Sequence, residues 1–204
     1  MAALSDIALI AQVVTFGSER AFGQLVQAHQ DAVRRFLRRL TAGDEMRADD
    51  LAQETFIRAW QGISSFKQLS GFETWLLRIA YRVFLDDERK EKSRPDSLDL
   101  PTKPDKPENP DIPDNPSSAN DPASLKESSD SFSLRHDLDL ALATLSENER
   151  TCVVLQCVEG QSIKEIASIT GLAENTVKSH LLRGKKNLAN YLRRNGYNGE
   201  EHTD

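Results

Sequence analysis

Apolar residues return every three or four positions between Phe22 and Leu40. Phe22, Leu25, Val26, His29, Val33, Phe36, Leu37 and Leu40 fall on one stripe, with polar and charged residues between them. That is the period of an α-helix with one buried face. Ser18 stands where its hydroxyl caps the helix start, and Gly43 with Asp44 breaks it. A shorter helix is predicted before it, capped by Ser5 and running to about Thr15. A third runs from about Ala48 to Gly62. A fourth runs from about Glu73 to Lys92, with Phe72, Leu76, Ile79, Ala80 and Val83 inward. Beyond residue 130 the pattern resumes. Leu134, Leu138, Leu142 and Leu145 predict one amphipathic helix. Ser146 with Glu149 forms a capping box for another, through Val153, Val154, Leu155 and Val158 to Gly160. Ser162 with Glu165 forms a second box. The last helix spans about Ala173 to Asn195, and Gly196 stops it. No convincing period-two strand interrupts this series.

Proline divides the chain. All eight prolines lie between Pro95 and Pro122. Around them Asp, Asn, Ser and Lys dominate, with too little apolar content to offset ordering entropy. The expected architecture is therefore all-α, with two small helical domains joined by a disordered linker. The divisions are residues 1–93, a linker over 94–132, a second domain over 133–196 and a polar tail over 197–204.

Charge follows the same division. The chain is net −6, of which −5 falls in residues 93–133, while residues 1–92 are neutral. The acidic total therefore does not exclude nucleic acid, because a local basic stripe decides phosphate contact. Residues 161–194 carry seven basic side chains against Glu165 and Glu174. Cys152 and Cys157 make no CxxC, point in different directions on a helix, and read as small buried hydrophobes of a reducing cytosol. The four histidines have no metal-ligand spacing, and no cofactor is expected. No apolar run is long enough to span a membrane, and the N-terminus lacks the basic start of a signal peptide. The expected location is the cytoplasm.

The segment SIKEIASITGLAENTVKSHLLR reads as a helix, a tight turn and a second helix. Ala167 is small where two helices cross, Gly171 suits a left-handed turn residue, and Val177 is the apolar plug of the second helix. The face left over carries Lys178, Ser179, Leu182 and Arg183, with Lys185 and Lys186 one turn on. A polar and basic helix stripe of this kind fits the major groove of DNA.

Two other helices carry chemistry. On DDLAQETFIRAW, Ala52, Phe56, Ala59 and Ile63 make the core face, and Asp50, Gln53, Glu54 and Ile57 lie opposite. An acidic solvated face and a docking surface are both open on these residues alone. The fourth helix places Arg78, Arg82 and Arg89 on one stripe, with Phe66, Phe72 and Trp75 near its start. Cations beside aromatics suit single-stranded nucleic acid, since a base stacks while its phosphate is neutralised. Pairing with Asp86, Asp87 and Glu88 is the competing reading. Arg34, Arg35, Arg38 and Arg39 are open in the same way.

Taken together, HQDAVRRFLRRL, DDLAQETFIRAW, FETWLLRIA and LSENER with the C-terminal helix pair resemble an extracytoplasmic-function sigma factor of bacterial RNA polymerase, within the sigma-70 family. The resemblance covers both helical pieces in order. It implies that the first piece corresponds to sigma domain 2 and the second to sigma domain 4. It implies docking on the clamp of the largest polymerase subunit through Asp50, Leu51, Gln53, Glu54 and Phe56, with Phe56 structural. It implies contacts to the −10 element by Phe66, Trp75, Arg78, Arg82 and Arg89. The loop from Ser65 to Thr74 would capture an extruded base. The −35 element would be read by Lys178, Ser179, Leu182 and Arg183, with Lys185 and Lys186 on phosphates. Core RNA polymerase, including the flap of its second largest subunit, promoter DNA and an anti-sigma factor are the implied partners. The acidic linker would thread the RNA-exit region or serve as a tether.

The sequence departs from the family pattern at Arg82, where Asn is common, and at Asn175 and His180. The resemblance implies a promoter-specificity subunit without an active site of its own. A helix-turn-helix regulator with an N-terminal sensing or dimerisation domain is the alternative. An enzyme on nucleic acid is disfavoured, because no paired carboxylates, zinc site or phosphate loop has convincing spacing.

Overall fold

A computed structural model describes residues 2–67, 70–93 and 137–197, excluding the side chains before Asp6. The linker expectation, Leu134 and the polar tail beyond Tyr197 lie outside the described residues. Those described form helices α1 (Ala2–Phe16), α2 (Glu19–Leu40), α3 (Glu45–Gly62) and α4 (Phe72–Ser93), then α5 (137–143), α6 (Glu147–Cys157), α7 (Ile163–Thr170) and α8 (Glu174–Arg194). A single 3₁₀ turn, Ile63–Ser65, follows α3. The fold is all-α, with two helical domains.

In the first domain α1, α2, α3 and α4 pack together. Leu25, Val33, Phe36, Leu37 and Leu40 of α2 are buried as the periodicity requires, in one core with Ala59 of α3 and Leu76, Leu77 and Ala80 of α4. Burying each such leucine contributes about 1.5–3 kcal/mol. Ser18 accepts the Ala21 amide at 3.2 Å, a cap of about 1 kcal/mol. His29 and Asp6 form a buried contact at 3.0 Å that ties α1 to α2.

Two helix starts differ from the pattern. α3 begins at Glu45, because the Asp44 side chain accepts the Arg47 amide at 3.0 Å and opens the helix before the apolar stripe does. α1 begins at Ala2, ahead of Ser5, in a run of good helix formers.

In the second domain Leu142, Cys152, Val153, Val154, Leu155, Ile166, Ile169, Val177 and Leu181 make the core. Cys152 is buried as expected, but Cys157 is exposed. Five residues on, at the last position of α6, it has rotated off the core face. Within the described residues α5 ends at Ala143, and Leu145, the last leucine of its spacing, is buried beyond that end. Gly171 closes α7 at φ 76°, and its amide bonds the Ala167 carbonyl at 2.9 Å.

The domains are packed on each other. The loop after α6 and the helix α7 lie on α4, and α6 lies on α2. Arg150 of α6 donates to the carbonyl of Leu40 at 2.8 Å and to that of Leu142 at 2.9 Å, joining the end of α2 to the second domain.

Candidate nucleic-acid interface

The capping boxes that open α6 and α7 fix the helix-turn-helix. Ser162 accepts the Glu165 amide at 3.3 Å, while Glu165 accepts the Ser162 amide at 2.8 Å. With Val177 and Leu181 buried beneath it, α8 turns Lys178, Ser179, Leu182, Lys185 and Lys186 outward. Leu182 is 74% exposed, an apolar side chain standing among the basic ones. Ser179 donates to the Asn175 carbonyl at 2.9 Å. Arg183 is exposed but leans towards Glu149 of α6 at 3.7 Å and His180 Nδ1 at 3.4 Å. The stripe read from sequence is therefore assembled, with one member lightly engaged by an acid.

On α3 the expected docking residues separate. Asp50 and Gln53 are exposed and Ile57 is 53% exposed. Leu51 is only 7% exposed and packs inward with Ala48, Ala52 and Thr55. Its burial follows from the helical phase it shares with Ala48 and Thr55. Phe56 is half-buried and, with Val26, Gln30, Ala52, Gln53 and Ile57, lines an open groove of about 500 Å³ between α2 and α3. Glu54 is held by Arg58 at 2.7 Å, and Arg58 also donates to Asp86 of α4 at 2.7 Å. The hydrogen bond to Asp86, then that to Glu54, raises the Arg58 guanidinium above its ordinary value. The same bond holds the Asp86 carboxyl below its own.

The aromatics at the start of α4 pack on each other. Phe66 meets Phe72 and Trp75 with ring centroids 5.6 Å apart, and Phe72 stacks on Trp75 at 5.5 Å. They are half-buried or buried rather than exposed platforms. Residues 68 and 69 of the loop lie outside the described residues. Arg82 is exposed, as is Arg89, whose nearest acid is Asp86 at 3.6 Å. Arg78 differs from the sequence expectation. It is half-buried and donates to the hydroxyl of Ser168 on α7. One turn earlier, buried Thr74 donates to Gln161 at 2.9 Å. The second domain thus covers the part of α4 nearest the aromatics.

Sequence reasoning missed the interdomain ion pairs. Arg35 donates through Nε and Nη2 to both oxygens of Glu159, at 3.1 and 2.7 Å. Hydrogen bonding to Glu159 raises the Arg35 guanidinium above its ordinary value. Arg38 meets Asp139 at 3.2 Å and Glu45 at 3.1 Å, and Arg39 donates to Asp139. The available signal was weak: Asp139 sits at a core phase three residues before Leu142, and buried acids are rare unless paired. Among the described residues no helix is long and apolar enough to cross a membrane.

Comparison with known proteins follows this geometry. The model of sigma-70 region 2 matches residues 25–94, and that of sigma-70 region 4 matches residues 135–188. The chain is 30% identical to the ECF RNA polymerase sigma factor SigW of Bacillus subtilis, over 87% of this chain and 91% of that protein. It is 31% identical to SigM of Mycobacterium tuberculosis, over 92% of this chain and 85% of that one. Against SigE of Mycolicibacterium smegmatis identity is 36%, and the match spans 62% of that relative's length. Among solved structures, CnrH in complex with the cytosolic domain of CnrY is 26% identical, with a TM-score of 0.62 over 94% of this chain and 99% of that one. The sigma factor RpoE of Bartonella quintana, in complex with the anti-sigma factor NepR, gives the same identity and TM-score over 84% of this chain and 96% of that one.

Proposed function

This chain belongs to the extracytoplasmic-function family of RNA polymerase sigma factors, and we propose that its two domains divide promoter recognition and polymerase docking between the surfaces described above. The observation that carries this reading is the exposed stripe of α8, with Leu182 and a row of basic residues left uncovered on a helix whose other face is core. Lys178, Ser179, Leu182 and Arg183 read base edges of the −35 element in the major groove, and Lys185 and Lys186 neutralise phosphates.

Docking falls to α3. Asp50, Gln53 and Ile57 form the contact with the clamp of the largest subunit, with the adjacent groove receiving an apolar side chain. Glu54 joins them at the edge, and Leu51 supports them from within. The second domain contacts the flap of the second largest subunit. At the −10 element Arg82 and Arg89 neutralise the strand, and the Phe66, Phe72 and Trp75 cluster walls the base pocket. Arg78 contributes only after α7 leaves α4, so promoter opening requires the domains to part. Chemistry belongs to the polymerase, and the chain itself acts without catalysis or cofactor, in the cytoplasm. The likeness to complexes with CnrY and NepR supports an anti-sigma protein as a further partner.

Capture of purified core polymerase tests this reading. The intact chain binds core, and transcription from a matching promoter depends on its presence. A chain that binds DNA but never core would be a free-standing regulator instead.

A further inference from the structure

Arg35, Arg38 and Arg39 of α2 invite a second question, because they meet acids of the second domain, whereas Arg34 is forked by Asp49 of α3 and Arg38 also meets Glu45 there. Among the described residues, Arg35 and Arg39 hydrogen-bond only carboxylates of the second domain, Glu159 and Asp139. The Glu159 side chain is 0% exposed, covered by the first domain and forked by one guanidinium. A planar fork of this kind accepts a carboxylate or a phosphate in the same geometry. The match is also incomplete. Among the described residues, two buried side-chain nitrogens lack a hydrogen-bond partner, Arg38 Nε and Arg78 Nε. Both lie on the face that the second domain covers. Buried donors without acceptors are rare, and each leaves a hydrogen bond that a better-matched anion would supply.

Two further observations point to what that anion is. The row is continuous with the proposed −10 surface: Gln161 bonds Thr74 of α4, while Glu159, two residues before it, bonds Arg35 of α2. Beside the row, Arg34, Arg35, Arg38 and Arg39 line an open groove of about 630 Å³ together with Asp31, Glu45 and Asp49; Asp49 forks Arg34, which leaves Arg35, Arg38 and Arg39 as the row. Positive charge spaced along one helix next to a strand-reading surface suits a run of phosphates.

We propose that Arg35, Arg38 and Arg39 form a DNA-backbone surface, and that Asp139 and Glu159 of the second domain occupy it as phosphate mimics while the chain is closed. The proposal rests on the promoter-binding reading for its choice of DNA. Parting of the domains removes two carboxylates and exposes three guanidinium groups beside α4. DNA and the second domain then compete for one row, so DNA binding and domain opening favour each other.

The full-length chain tests this by fluorescence anisotropy over a salt series, with labelled DNA of random sequence as duplex and as single strand. Asp139→Asn with Glu159→Gln should tighten binding several-fold and steepen its salt dependence. Adding Arg35→Gln, Arg38→Gln and Arg39→Gln should abolish the gain. Each phosphate contact contributes about 0.9 to the log–log slope on duplex, so three lost contacts lower it by about 2.7. For those three contacts a fourfold rise in salt costs about 40-fold in affinity. The strand giving the larger arginine-dependent slope is the form the row binds. Small-angle scattering checks that the acid-neutralised variant has opened, and circular dichroism that it stays helical. Equal affinity and slope with and without the arginines would overturn the proposal, as would an acid-neutralised variant that binds no tighter than the original. Run-off transcription with core polymerase runs alongside. A chain active there with an arginine-independent slope loses this inference alone. A chain inert there with an arginine-dependent slope loses the promoter reading and keeps the arginine surface.

Discussion

Gly184 of α8 lies so close to α6 that a Cβ on it would stand 2.8 Å from Cγ2 of Val153. The same methyl would meet the Glu149 backbone oxygen at 3.3 Å. A helix-interior glycine normally weakens its helix by about 1 kcal/mol relative to alanine. Here its absence of side chain sets the distance at which the recognition helix crosses its support. Gly184→Ala should therefore destabilise the second domain despite the better propensity. Overpacking costs about 1–3 kcal/mol, so a net loss of about 1 kcal/mol is expected. Thermal unfolding should show a midpoint lower by roughly 4–8 °C. A raised midpoint would mean that α6 and α8 move apart freely.

The burial of Leu51 separates docking from folding on α3. Asp50→Lys with Ile57→Ala should weaken core binding while moving stability by no more than about 0.5 kcal/mol, as exposed positions usually do. Leu51→Ala should instead cost about 2–5 kcal/mol of stability. Its core affinity should fall only as far as unfolding explains. Calorimetry and core-binding titration on both variants check the division. Normal core binding by the first variant would remove α3 as the clamp contact.

Arg82 and Arg89 are the arginines of α4 that stand clear of the second domain. Replacing both by alanine should reduce open-complex formation on duplex promoters, read by permanganate footprinting. If they aid opening, the defect shrinks on templates already unpaired at the −10 element. An equal defect on both templates would make them anchors of the single strand, and no defect would return them to a solvated face.

Folding stability should be sensitive to alkaline pH. Burial raises the Tyr81 phenol from 10.0 to about 12, with Glu147 and Cys152 of α6 adding to the shift and a hydrogen bond with Thr151 opposing it. Burial alone raises the Cys152 thiol from 9.0 to about 11. Both groups are held in their neutral forms. Their stabilising contributions are complete below the unfolded values and are lost as pH rises through the folded ones, from about 9 to about 12. Tyr81→Phe should flatten the upper part of that loss, measured by chemical denaturation at stepped pH. An unchanged profile would show that the phenol ionises without strain.

Much of the fold was legible because it rests on local signals. The α2 stripe, the Ser18 cap, the Ser162–Glu165 box and the Gly171 turn each declare themselves within a few residues, and family resemblance joined them. The burial of Leu51 was not legible because a helix of mixed composition does not show which of two adjacent phases faces the core. Arg78 and the α2 arginines could not be read from periodicity at all. Their partners, Ser168, Glu159 and Asp139, lie 90 to 124 residues away across the linker. Gly184 was overlooked because a glycine inside a helical pattern signals a close crossing only when the neighbouring helix is known.

Run-off transcription from a library of randomised promoters, with purified core polymerase and the intact chain, tests the central claim most directly. The account predicts transcripts that require the chain and share a two-part motif. Arg183→Ala should relax preference at one base of the upstream part, by the roughly 1–3 kcal/mol of a bidentate base contact. Lys186→Ala should weaken all sequences alike. Transcripts that appear equally without the chain, or that share no motif, would contradict it.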